Sequence, residues 1–377
     1  MRVGLIARAD STGLGIQSKE FFDHIPCKAL VIDSSKLGRG EVLKPEFRNY
    51  PGQQVLQLQP GFDNYGWMPN SVIEWLLNDI DILFCMETPY DYRIFEEARR
   101  RGVKSILQFN YEFLEYPSEL PEPDLFASPS QWNFEQVPEP KFFLPVPVNT
   151  EKFKPNRTKG SFLHIAGRPA QHDRNGTETL MKALMLVKSE IQVVIRSQGH
   201  INAPKMPPNV CIRVENSNTP HYADNYRGGV LIMPRRYGGL CLPINEAIAC
   251  EMPVIVTDIS PNNTWLPKEW LVPAQKIHSF FCRKPVDVYQ ADIQALANKI
   301  DLFCDDTFFG NAVQKAKNLK NQISWDNLKP LYYQLFESVQ IRADQLTKVY
   351  QKPSLKPKRE FYRDRKERLK HDRRRVR

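Results

Sequence analysis

The run Tyr237-Gly238-Gly239-Leu240-Cys241-Leu242-Pro243-Ile244-Asn245-Glu246 joins a glycine pair to a carboxylate at a spacing that suits a phosphorylated ligand. Gly238 and Gly239 carry no Cβ, so the backbone can approach a ligand closely there. The residues that follow read as a short helix whose free N–H groups and positive dipole end point at the same spot, a fit for phosphate. Glu246 is expected about two turns into that helix, where a carboxylate can accept hydrogen bonds from a diol such as a ribose. Upstream, Val230-Leu231-Ile232-Met233-Pro234 reads as a strand end. Downstream, Pro253 breaks the helix and Val254 to Val256 reads as a buried parallel strand. A plain strand-loop-helix of any α/β fold is the alternative.

This stretch resembles the donor-site signature of retaining GT-B glycosyltransferases, which take sugars from nucleotide diphosphates. In that family a Glu, seven residues and a second Glu flank a Gly-Phe-Gly-Leu-Pro-like loop, and an Ala-x-Ala-x-Gly-x-Pro-Val-Val run follows. Glu246 matches the second Glu, and Pro253-Val254-Ile255-Val256 matches the run. Gly238 stands where the family has its first Glu, and Cys241 where it has a second loop glycine. The chain therefore lacks the carboxylate that the family brings to the transferred sugar.

Such a loop needs a sheet to hold it and a second domain to face it. Met1 to Arg8 reads as a first buried strand, followed by Asp10-Ser11-Thr12-Gly13-Leu14-Gly15 and an amphipathic helix from Ile16 to His24. Gly13-x-Gly15 lacks the third glycine of a dinucleotide fingerprint. By resemblance it would face the donor diphosphate across the cleft; a plain βα turn is the alternative. Residues 25 to 75 read as irregular. Asp81 to Glu87 reads as a buried strand, Tyr92 to Arg101 as a helix and Val103 to Phe109 as the next strand. Asp79-Ile80-Asp81 opens a strand, whereas ligands in such sheets gather at the carboxyl ends, so it is set aside as a metal site. The carboxyl ends offer Glu87, Asn110, Tyr111 and Glu112 as acceptor-side candidates, of which Glu112 joins the catalytic group.

Phe142 to Pro155, Phe-Phe-Leu-Pro-Val-Pro-Val-Asn-Thr-Glu-Lys-Phe-Lys-Pro, resembles the family's interdomain linker, and prolines stiffen it into a hinge. The second domain opens with Phe162 to Ala166 and Gly167-Arg168, then Arg174-Asn175-Gly176 and a helix from Thr177 to Val187. The family has a Gly-Arg here and a Lys-Gly further on whose cations grip the diphosphate. Arg168 matches; Asn175 holds the Lys position, so the charge falls to Arg174, for which a solvated surface residue is the alternative. Arg236 is a third candidate. His172 reads as a polar loop residue. Asp287 to Phe303 and Thr307 to Asn318 read as helices, and Ser324-Trp325-Asp326 starts a last helix through Val339.

The resemblance implies an α/β, GT-B fold of two Rossmann-like domains facing a cleft, with a basic tail. Residues 1–150 would form the acceptor-side domain, with a terminal helix at about 325–345 packing back on it. Residues 151–324 would form the donor domain and 346–377 the tail. The donor site would comprise Gly13, Gly15, Arg168, Arg236, Gly238, Gly239, Leu240 and Glu246, with Arg168, Arg174 and Glu112 as catalytic residues. The expected donor is a UDP-sugar, with anomeric retention and no metal or cofactor. In this family the leaving diphosphate is thought to take the acceptor's proton. A nucleotide-sugar-binding protein that has lost catalysis stays open, because the first Glu is absent.

No apolar run reaches the roughly 20 residues needed to span a bilayer, and the N-terminus does not read as a signal peptide. The seven cysteines are scattered without Cys-x-x-Cys spacing, which indicates neither a disulfide framework nor a zinc site. A reducing cytoplasm is the expected setting. The formal net charge of +9 sits wholly in residues 351–377, where 13 Lys and Arg face 4 Asp and Glu. The loop wording looks like phage-encoded members of the family, some of which decorate hydroxymethylated bases in DNA. A DNA acceptor tethered by the tail is therefore the expected partner besides the donor. A membrane-associated enzyme building a surface polysaccharide or glycolipid is the alternative, since a basic tail also suits anionic lipid.

Overall fold

The computed structural model describes residues 1–8, 10, 12–34, 50, 53–59, 62, 64–114, 120–155, 157–168, 171–216, 219, 221–346 and 348. The basic tail, residues 351–377, lies outside them.

The first sheet is built from β1 (Val3–Arg8), β2 (Cys27–Asp33), β3 (Gln54–Gln57), β4 (Ile82–Met86), β5 (Lys104–Gln108), β6 (Leu125–Ser128) and β7 (Lys141–Phe143), with α1 (Gly13–His24), α2 (Asn70–Leu77) and α3 (Arg93–Arg100) between them. Its order is β3-β2-β1-β4-β5-β6-β7, and every pairing is parallel. Strands buried on both faces carry near-continuous apolar runs. In β1, Ile6 joins the core under α2 and α3, while Leu5 and Ala7 join the core under α1.

The second sheet holds β8 (Ser161–Gly167), β9 (Ile191–Ser197), β10 (Val210–Glu215), β11 (Val230–Met233), β12 (Val254–Thr257) and β13 (Leu271–Val272), with α4 (Thr177–Leu184) and α5 (Leu242–Ala249) among them. Its order is β10-β9-β8-β11-β12-β13, again all parallel. An antiparallel hairpin, β14 (Ala274–Phe281) and β15 (Pro285–Ala291), follows, then α6 (Ile293–Leu302), α7 (Asp306–Gln322) and α8 (Trp325–Ser338). Helix α8 lies on the first sheet, where Trp325, Tyr332 and Phe336 pack with Phe21 and Phe84. Phe21 and Phe84 stack at 4.8 Å.

Glu20 of α1 fastens this return. Its carboxylate accepts from Asn149 N at 3.1 Å, Lys152 Nζ at 3.3 Å, Tyr222 Oη at 2.9 Å and Trp325 Nε1 at 3.2 Å. The linker, the second domain and the last helix thus meet on one buried side chain.

The structure corrects three sequence readings. Residues 25–75 are not irregular: they contain β2, β3 and the start of α2. Asp287 to Phe303 is not one helix. Val286 and Val288 are buried at alternate positions of β15, and the helix begins only at Ile293, capped by Asp292. Glu246 lies just over one turn into α5, which starts at Leu242.

Candidate functional site

Each sheet reverses its winding once, between β1 and β4 in the first and between β8 and β11 in the second. The crevice outside the carboxyl ends at such a switch point is where open α/β sheets bind ligands. The ends of β1 and β4 bring Arg8, Asp10, Gly13 and Glu87; those of β8 and β11 bring Arg168 and the Arg235–Leu240 loop.

The loop is pressed between the domains. Gly238 has φ +108°, and a Cβ there would come within 2.5 Å of Arg174 Nη2 and 2.6 Å of Arg235 Nη2. A Cβ on Gly239 would come within 2.8 Å of Ser130 Oγ and 3.1 Å of the Trp132 ring, both in the first domain. Two guanidinium groups therefore cover the Gly238 Cα, at the position where the resembling family carries a carboxylate. Gly13 approaches from the other side, with Leu242 Cδ1 3.1 Å from where its Cβ would be. Gly15 serves packing within the first domain: a Cβ there would collide with the Asp10 carbonyl oxygen, so this glycine seats α1 on the preceding loop.

The three cations named from the sequence have different surroundings. Arg168 is exposed just beyond β8. Arg174 donates to Glu112 at 3.0 Å, joining the two domains, and lies over the Tyr237 ring at 5.4 Å. Arg236 is committed to backbone carbonyls, to Tyr289 O at 3.1 Å and His172 O at 2.8 Å. Arg235, not among the cations expected from the sequence, is the buried one. It is 4% exposed and braces the loop through Gly239 O at 3.2 Å and Leu240 O at 3.1 Å. Burying an arginine is costly unless it is satisfied; here two loop carbonyls hold Nη1, the Glu112 charge lies nearby, and Nε is without a hydrogen bond.

Glu246 is 7% exposed, and its Oε2 accepts from the Tyr226 hydroxyl. Burial pushes its carboxyl up to about 7, with the Tyr226 hydrogen bond opposing the rise. On the acceptor side, Glu87 has a left-handed backbone (φ +62°) and accepts from Asn110 Nδ2 at 2.6 Å. Burial raises its pKa too. A non-glycine residue held in that region costs energy and clusters at functional sites. Arg8 pairs with the buried Asp10 beside it.

The β14–β15 hairpin, absent from the sequence reading, straps the mouth of the cleft. Val286 and Val288 enter the first domain's core. Arg283 donates from N to Glu112 O at 3.2 Å and from Nη1 to Phe113 O at 3.0 Å. His278 Nε2 lies 3.1 Å from His172 Nδ1, and Phe280 meets Tyr237 edge-on at 5.1 Å. His172 is thus part of a hairpin contact. Asp79 and Asp81 lie at the opposite strand ends and pair with Arg2. Among the described residues no helix is long and apolar enough to cross a membrane.

No family model and no curated protein matches this sequence. Solved structures do. The chain resembles sucrose-phosphate synthase from Thermosynechococcus elongatus with a TM-score of 0.58 at 14% identity, over 90% of this chain and 100% of that one. It resembles a glycosyltransferase from Rickettsia africae with a TM-score of 0.60 at 13% identity, over 90% and 98%. It resembles HepE of Anabaena, solved in complex with UDP and glucose, with a TM-score of 0.58 at 12% identity, over 90% and 100%. The fold is GT-B: two parallel-sheet Rossmann-like domains facing a cleft.

Proposed function

We propose that this chain is a retaining glycosyltransferase that moves a sugar from a nucleotide diphosphate, with a UDP-sugar as donor, to an acceptor hydroxyl. The observation that carries the reading is the Gly238–Leu240 loop at the second sheet's switch point, covered by Arg174 and Arg235 and pressed against the first domain. A structural neighbour supports it: HepE of Anabaena was solved in complex with UDP and glucose.

In the proposed reaction the bond between the sugar's anomeric carbon and the diphosphate breaks, and the acceptor oxygen bonds to that carbon on the same face. The acceptor's proton leaves on the diphosphate. Arg168 and Arg174 stabilise the growing negative charge, and the loop amides and the start of α5 stand beside them. Glu246 receives the ribose diol, and Glu112 pairs with Arg174 until the diphosphate draws that guanidinium away. No metal or cofactor is required on this reading. The acceptor is proposed to be a hydroxymethylated base in phage-type DNA, because the +9 charge is gathered in one tail suited to a polyanion.

A donor screen scored by released nucleotide, with and without hydroxymethylated DNA, tests both parts. UDP release from a UDP-sugar that rises with the modified DNA supports them. Release stimulated by lipid-linked or polysaccharide acceptors and indifferent to DNA moves the acceptor to the surface-glycan class. Nucleotide binding with no turnover of any donor leaves a binding protein.

A further inference from the structure

The carboxylate of Glu246 is held from one side only. Tyr226, 6% exposed, donates its hydroxyl to Oε2, and Oε1 has no hydrogen bond among the described residues. Tyr226 is itself locked. Phe153 of the linker meets its ring edge-on at 5.8 Å, and the turn before it, Tyr222–Asn225, is braced by Arg196 Nε to Asn225 O at 3.1 Å and Thr219 Oγ1 to Asn225 Oδ1 at 3.0 Å. A carboxyl group with one oxygen fixed by a rigid donor presents the other in a single direction. An unheld Glu would have to freeze its rotamers on ligand binding.

We propose that Tyr226 is the positioning residue of the donor site: it clamps one oxygen of Glu246 so that the other meets the ribose diol of the nucleotide. This rests on the assignment of Glu246 to the ribose made above. The electrostatics point the same way. Burial favours the protonated acid, and Glu20 on α1 adds like charge; of the nearby groups, only the Tyr226 bond favours the ionised form. Tyr222 on the same turn and Cys250 at the end of α5 also face this carboxylate. Tyr226 therefore keeps Glu246 both aimed and ionisable near neutral pH.

The test is calorimetric binding of UDP and of 2′,3′-dideoxy-UDP, which lacks the diol, to the full chain between pH 6 and 9. The wild type should prefer UDP by about tenfold at pH 8, a preference that develops as pH rises through about 7. Tyr226→Phe removes one oxygen. It should cut the preference to about threefold, shift its onset to higher pH, and leave dideoxy-UDP affinity unchanged. A loss of affinity that is equal for both nucleotides, or an unchanged preference with unchanged onset, overturns the proposal. Glu246→Gln separates the two assignments. If it keeps the full preference for UDP, or if UDP fails to bind the wild type, the ribose assignment falls and the role of Tyr226 with it. If it abolishes the preference while Tyr226→Phe behaves as wild type, only the positioning role falls.

Discussion

Arg174 and Glu112 form an ion pair across the cleft, Nη2 to Oε1 at 3.0 Å, that ties the segment before α4, lying over Gly238 and Tyr237, to the first domain. Glu112 is 6% exposed and its Oε2 is without a hydrogen bond; Arg174 Nε is likewise unpartnered. The pair is half-satisfied at both ends, which is costly in a buried setting. A diphosphate bound beside Gly238, as proposed, would offer Arg174 more charge than Glu112 does, so ligand and carboxylate would compete for one guanidinium.

That competition has a sign. Glu112→Gln should tighten UDP binding, about fivefold for a coupling of about 1 kcal/mol. Arg174→Ala should weaken it and also leave Glu112 buried without its partner, at a stability cost of about 3 kcal/mol. Calorimetry on the two variants checks the first claim and chemical denaturation the second. Weaker UDP binding by Glu112→Gln would show that Glu112 helps hold the ligand.

Gly238→Ala should be damaging at a site where alanine is usually mild. The new Cβ meets two guanidinium ends at 2.5 and 2.6 Å, and φ +108° is strained for any L side chain. A stability loss of about 1–3 kcal/mol is expected, together with weaker UDP binding as Arg174 and Arg235 are displaced. A variant that melts and binds like wild type would mean that the loop repacks freely.

Much of this site was readable from residue types, because glycine, proline and buried apolar runs constrain the backbone locally. The strand-loop-helix around Gly238 is such a case. What the sequence hid depended on partners distant along the chain. Nothing near Arg235 announces that its guanidinium turns inward to Gly239 O and Leu240 O. Nothing near Gly239 announces Ser130 and Trp132. Two features carry a local signal that their surroundings obscure: the apolar run Ala29 to Ile32, beside Pro- and aromatic-rich residues, and the Val286/Val288 alternation, a period-2 strand signal next to the helix that follows.

Glu246 should carry a stability penalty that its proposed function requires. Its carboxyl titrates at about 7 in the folded chain against an ordinary 4.5. Between those values the folded state holds the proton that the unfolded state has lost, so stability falls as pH rises through this window and levels off above it. Gln has no such titration. Glu246→Gln should therefore be more stable than wild type at pH 8, by about 3 kcal/mol, with the gap closing toward pH 5. Denaturant unfolding at pH 5 and pH 8 measures it; a gap that does not change with pH would place the carboxylate in water.

Arg168 stands exposed beyond β8, where its proposed role is to contact a phosphate in the transition state. Arg168→Lys retains the charge and loses the planar fork, so turnover should fall about tenfold even with saturating donor. Unchanged turnover in both Arg168→Lys and Arg168→Ala would move the transition-state contact to Arg174.

The tail, residues 351–377, lies outside the described residues. Its apolar residues, Leu355, Phe361, Tyr362, Leu369 and Val376, are too few for a core, while its cations carry the whole net charge. If it tracks nucleic-acid phosphates it is a non-specific tether that raises local acceptor concentration. With about five phosphates neutralised, log affinity for duplex DNA should fall against log salt with a slope of roughly −4 to −5. Removing residues 351–377 should flatten that slope and raise the apparent KM for a long duplex. Turnover of a short acceptor should hardly change, because the loop from Arg235 to Leu240 and the cations around it are untouched. Tail-dependent sedimentation with anionic vesicles, joined to indifference to DNA at low salt, would assign the same charges to a membrane surface instead.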